Sequence, residues 1–257
     1  MLGPLELRGV ARPVARHAAV ELIVYLAMHP RGVANEVWAT ALWPDRIMSP
    51  ATLHSTASAA RRALGRSASG RDHLPRRHGR LELEPTVGTD WQRFVALASS
   101  DDPAEWRSAL ELVRGRPFDG LRRSDWIVLE GVVAAVEESI VDLVISLAEH
   151  YLSVDDGRRA ERVARRGLVV SPFDERLYRL LLRAADAQGH PAGVERVMGE
   201  LVQVVTGEAV GAGSTRRERF AGLATATLIA VHPQTATLYR SLSKRGQRAP
   251  GGGIATR

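Results

Sequence analysis

The 257-residue chain contains no cysteine, which excludes disulfide scaffolds, thiolate metal sites and cysteine nucleophiles. Lysine occurs once, as Lys244, so arginine carries almost all of the positive charge. A codon bias accounts for that as readily as phosphate recognition does. No apolar run reaches the roughly 20 clean residues of a membrane span; the longest, 131–148, is interrupted by Glu137, Glu138 and Asp142. The opening residues show no signal-peptide pattern, and the expected location is the cytoplasm. Glycine-rich phosphate loops, serine nucleophile elbows and His-Glu metal motifs are missing, so neither an enzyme nor a cofactor is expected. The eight histidines are scattered without zinc-site spacing, and helix-end or loop roles suit them better. With 45% hydrophobic residues, what remains is a soluble globular protein with one or two cores.

The formal charge of +6 is a sum of unlike parts. Residues 1–97 carry 13 Lys+Arg against 8 Asp+Glu, residues 98–215 carry 14 against 20, and residues 216–257 carry 8 against 1. A basic first part, an acidic middle and a basic end indicate separate units with different partners.

Periodicity divides the chain in the same way. After a short extended piece at 2–7, Val20, Ile23, Val24 and Ala27 mark one face of a helix over 13–29. Asn35 is placed to cap a short helix ending before Pro44. Ser49-Pro50 starts a third, running to Leu64 and closing at Gly65, because Ser49 can accept from a free first-turn N–H and Pro50 sacrifices no hydrogen bond. A hairpin turning at Gly79 is expected within 73–83. Strand, three helices and hairpin form the winged helix-turn-helix plan. Beyond Asp101 helical patterns take over, with one long helix at 125–152 and others at 158–170, 174–188 and 191–206, joined by short polar loops. Alanines 160, 164, 184 and 185 permit close helix approach in a degenerate tetratricopeptide-like array. A loop at 208–217, a helix at 219–230 and a short helix from His232 to Tyr239 complete the reading. The fold class is thus mainly α: a winged helix at 1–97, an all-α repeat domain at 98–242, and a disordered basic tail at 243–257.

The stretches Ala41-Leu-Trp-Pro-Asp45, Ser58-Ala-Ala-Arg-Arg-Ala-Leu-Gly65 and Asp90-Trp-Gln-Arg-Phe94 resemble actinobacterial transcriptional activators with an OmpR-type winged helix. Their second part, a bacterial transcriptional activator domain, resembles Arg114-Gly-Arg-Pro-Phe118 and Ser171-Pro-Phe-Asp-Glu-Arg-Leu177. The likeness spans about residues 2–205 and extends to the C-terminal part of larger membrane-tethered proteins. It implies a transcription regulator. At Ala57 and Ala60 that family generally has a bulky aliphatic residue, and at Ala59 often a basic one.

On the third helix, Leu53, Ala57, Ala60 and Leu64 form the expected inward face. Thr52, His54, Ser55, Ser58, Arg61 and Arg62 are left to meet a DNA major groove, where arginine can bind guanine with two hydrogen bonds. Arg66 belongs to the expected DNA-binding surface, and the wing residues Arg76, Arg77 and Arg80 are expected at the phosphate backbone or a minor groove. Between Arg46 and Arg80 eight arginines face Asp72 alone, and about six phosphate contacts give an expected salt slope near −5. The expected partner is double-stranded DNA, with RNA polymerase contact or self-association through the helical repeats. A contrasting reading is an adaptor that does not bind DNA and whose repeats hold a protein partner or small ligand.

Overall fold

The first helix, α1 (His17–Met28), is apolar nearly all round: Ala19 and Leu22 to Ala27 are buried. The four-residue face expected from periodicity is therefore too narrow, and Pro30 ensures that the helix ends at His29. This computed structural model describes residues 1–14, 16–121, 125–207 and 231–248. Cα packing divides the chain into two units.

In the first unit, β1 (Val33–Ala34) leads into α2 (Asn35–Leu42) and then α3 (Pro50–Leu64). Asn35 does not cap α2; its side chain accepts from the Trp38 indole at 3.3 Å. Ser49 does cap α3, accepting from Thr52 N–H at 3.2 Å, and Gly65 at φ +72° closes that helix. A hairpin follows, β2 (Arg76–Arg77) and β3 (Arg80–Leu81), with β3 paired between β1 and β2. Its two turn residues, His78 and Gly79, both have positive φ, the requirement of the tight turn that matches strand twist. The α4 helix (Asp90–Ala98) starts from a Thr89–Gln92 capping box.

Residues 111–136 pack with the first hundred residues, whereas a single boundary at 97/98 was expected. The extended N-terminal piece finds its partner there: Leu5 N–H donates to Asp119 O at 2.9 Å, and Leu2 O accepts from Arg114 N–H at 2.6 Å. The expected long helix at 125–152 is two, α6 (Asp125–Leu129) and α7 (Val132–Ser153). Gly131, at φ +68°, breaks it, and Leu129, expected on the inner face, is 79% exposed. The break places Glu130 between Tyr25, whose hydroxyl donates to it at 3.2 Å, and His29 Nε2 at 3.1 Å. Trp126 packs edge-on against Tyr25, with ring centroids 4.8 Å apart.

The second unit contains most of α5 (Pro103–Glu111) and of α7, then α8 (Gly157–Val170), α9 (Glu175–Ala187), α10 (Pro191–Thr206) and α11 (Pro233–Arg248). Consecutive helices joined by short turns pack on one another, α8 on α9 and α9 on α10, while α11 lies on both α9 and α10. Alanines 160, 164, 184 and 185 are buried. The closest approaches are at Gly157 and Gly167, where an added Cβ would meet Ala184 O at 2.8 Å and Leu177 at 3.0 Å. Arg176 bridges Asp174 and Glu138, at 2.7 and 2.8 Å, an ion-paired start to α9; Arg183 pairs with Glu149 and Arg165 with Glu200. Residues 243–248, expected in a disordered tail, continue α11; the loop at 208–217, the helix at 219–230 and residues 249–257 lie outside the described residues.

Two predictions follow from this packing. Gly157→Ala is expected to cost about 1–3 kcal/mol, because backbone must move. Gly199→Ala, within α10 and facing open space, is expected to stabilise by about 0.5–1 kcal/mol; urea midpoints measure both. Burial, and then the Glu130 carboxylate, push the Tyr25 phenol up to about 12. A raised folded value means that the associated stability is full below the ordinary value of about 10 and is lost as pH rises through about 12. Stability measured across that window is expected to fall, and Tyr25→Phe to flatten part of the fall.

Candidate nucleic-acid interface

The α3 helix buries Thr56, Ala60 and Ala63. Of the expected inward face only Ala60 is fully buried; Leu53, Ala57 and Leu64 are half-buried. The register of the helix is therefore set by Thr56, Ala60 and Ala63, small side chains that allow close packing on α1.

The ten residues assigned to DNA divide by what they already bind. Thr52 belongs to the cap, its hydroxyl 3.0 Å from Ser49 Oγ. Ser55 donates to Thr52 O at 3.0 Å and accepts from Arg16 Nη1 at 3.1 Å. Arg61 is half-buried and donates through Nε to Leu74 O at 2.9 Å, tying α3 to the chain entering the hairpin. Arg80 reaches back to Gly32 O with two donors, at 2.8 and 3.2 Å. Arg77 pairs with Glu84, which is only 10% exposed, and Arg66 pairs with Asp72 at 2.8 Å on the surface. His54, Ser58, Arg62 and Arg76 have no hydrogen bond or ion pair from their side chains among the described residues; His54, Arg62 and Arg76 are exposed and Ser58 is half-buried.

The arginine surface thus serves two ends. Arg61, Arg77 and Arg80 fix the hairpin beside α3. Arg46, Arg62, Arg71 and Arg76 are exposed and have no carboxylate partner among the described residues. Arg71 donates only to Ser69 Oγ, at 3.2 Å. Such guanidinium groups keep their donors for an external anion. Sequence reasoning counted all eight arginines alike, because carbonyl acceptors such as Gly32 O and Leu74 O leave no trace in a charge pattern. It also missed Arg16, whose signal was the four-residue spacing of Arg8, Arg12 and Arg16 ahead of α1.

No group of three or more His, Asp or Glu among the described residues is arranged to hold a metal, and no described helix is long and apolar enough to cross a membrane. A cavity of about 910 Å³ opens between the N-terminal segment and α1, lined by aliphatic residues such as Val10, Val14, Ile23 and Leu64 and by charged ones such as Glu6, Asp90, Arg93 and Arg114.

The division of the arginines predicts different mutational costs. Arg80→Ala removes two bonds to a backbone carbonyl and is expected to lower stability by about 1–2 kcal/mol. Arg76→Ala is expected to stay within about 0.5 kcal/mol. Thermal or urea unfolding of the two variants checks this.

Comparison with known proteins adds a family. The model of the bacterial transcriptional activator domain matches residues 89–221, slightly more than half of the chain. No curated protein is significantly similar to it. Among solved structures, EmbR of Mycobacterium tuberculosis in complex with a low-affinity phosphopeptide is similar at 20% identity and a TM-score of 0.62. That match covers 96% of this chain and 68% of the other, and it speaks for the fold alone. The alternation of buried helices across residues 89–207 and the family match agree, and the chain belongs to the bacterial transcriptional activator domain family.

Proposed function

We propose that this protein is a transcription regulator that binds duplex DNA through a winged helix in its first unit. In this reading α3 enters the major groove, and the β2–β3 hairpin is the wing. The acidic helical unit makes the regulatory contacts, with RNA polymerase or a second copy of the chain. The observation that carries the reading is the exposed, uncompensated set Arg46, Arg62, Arg71 and Arg76 beside a helix whose outer face is otherwise small or polar. Arg62, in the last turn of α3, carries base choice, helped by His54 and Ser58. Arg46, Arg71 and Arg76 neutralise phosphates. Arg61 acts as a positioning residue, since its Nε is already held by Leu74 O.

The adaptor reading has one observation in its favour: Arg61, Arg77 and Arg80 are used within the fold. It does not need the uncompensated arginines.

Binding to promoter fragments across salt concentrations decides between the two. The three phosphate contacts correspond to a slope of about −2.7 in log K against log salt, and additional cations steepen it. A flat response rules out the DNA reading. Arg62→Ala is expected to relax sequence preference at about 1–3 kcal/mol, and Arg76→Ala to weaken all sequences alike. The reverse pattern would exchange the roles of helix and wing.

A further inference from the structure

The segment before α1 lies along α3. Ala11 N–H and Arg12 N–H both donate to Ala63 O, at 2.8 and 3.4 Å, near the C-terminal end of α3. Four residues later Arg16 Nη1 reaches Ser55 Oγ at 3.1 Å, near the middle of the same helix. From residue 63 back to 55 the helix axis covers about 12 Å at 1.5 Å per residue. The segment thus touches α3 at two levels, through backbone near its C-terminal end and through the Arg16 side chain near its middle.

Its side chains sort by polarity. Val10, Pro13 and Val14 line the cavity between the segment and α1. Arg12 and Arg16 are outside that lining and exposed; neither has a carboxylate partner among the described residues. Arg8, by contrast, is occupied by Glu6 at 2.7 Å. Among the described residues, the Arg16 guanidinium is hydrogen-bonded to Ser55, a neutral hydroxyl on the face of α3 that the DNA reading turns outward. A single neutral acceptor leaves most of the five donors of that group unused.

We propose that Arg12 and Arg16, ahead of α1, act as a basic arm that grips the phosphate backbone beside α3. This rests on the DNA reading of α3 and extends its interface to a segment that reading leaves out. The ligand is duplex DNA of any sequence, because guanidinium groups that meet phosphates carry no base code. Arg12 and Arg16 add two contacts to the three above, bringing the salt slope to about −4.5.

The test measures binding of the full chain to one selected duplex and one unrelated duplex between about 50 and 200 mM salt. Wild type is compared with the double variant Arg12→Gln/Arg16→Gln and the charge-preserving Arg12→Lys/Arg16→Lys. The expected result is a slope shallower by about 1.8 for the glutamine variant on both duplexes. Wild-type affinity then falls about twelvefold more than the variant's across that range. The lysine variant is expected to keep most of the wild-type slope, which separates lost charge from lost folding. An unchanged slope in the glutamine variant overturns the arm while leaving the DNA reading intact. So does a change confined to the selected duplex, because Arg16 would then only position Ser55. Absence of any wild-type binding overturns the arm together with the reading beneath it.

Discussion

The C-terminal end of α3 is the constraint on which the candidate interface depends. The last carbonyls of a helix have no partner within it and must find donors elsewhere. Here Arg61 O is satisfied by Gly65 N–H at 2.9 Å, and Ala63 O takes two donors from the segment ahead of α1. Gly65 O in turn accepts from His73 N–H at 3.1 Å, drawing in the chain that leads to the hairpin. The positive φ of Gly65 makes this possible, and the site is crowded: a Cβ there would lie 2.7 Å from Ala11 Cβ. One helix end thus gathers the N-terminal segment on one side and the hairpin approach on the other.

Charge is then divided by what each cation faces. Arginines whose donors meet carbonyls or buried carboxylates hold the hairpin in place, and those that meet water remain available. A count of charge cannot separate the two. The exposed Arg66–Asp72 pair lies between them, since an ion pair in water contributes about 0–1 kcal/mol and exchanges readily for a phosphate. The second unit spends its arginines differently. Arg165, Arg176 and Arg183 join one helix to another through carboxylates, while Arg158, Arg162 and Arg196 are exposed.

What was legible in the sequence was local chemistry. Ser49-Pro50 and Gly65 bounded α3 because cap and left-handed closure act within a few residues. Pro191–Thr206 was readable in full for the same reason, with proline at the first turn and Gly207 beyond its end. Non-local events were not legible. The break at Gly131 lies in an otherwise helical apolar pattern, and the residues that hold Glu130 there, Tyr25 and His29, are about a hundred positions away. Asn35 looked like a cap, but the Trp38 indole claims its oxygen. In the candidate interface, exposure of Arg62 and Arg76 agreed with expectation, whereas the roles of Arg61 and Arg80 depended on carbonyls from distant turns.

The pairing of the N-terminal piece with residues 114–119 also sets an order in time. Leu2, Leu5 and Tyr25 find their partners only after residues 114 to 130 have been synthesised. At about 5–20 residues per second the early helices wait several seconds on the ribosome with an apolar flank uncovered. Contacts of such sequence separation are slow to close even once both ends are present. The first unit is thus begun first but finished late, and in that interval its exposed aliphatic surface is open to chaperones and to its own unfinished copies.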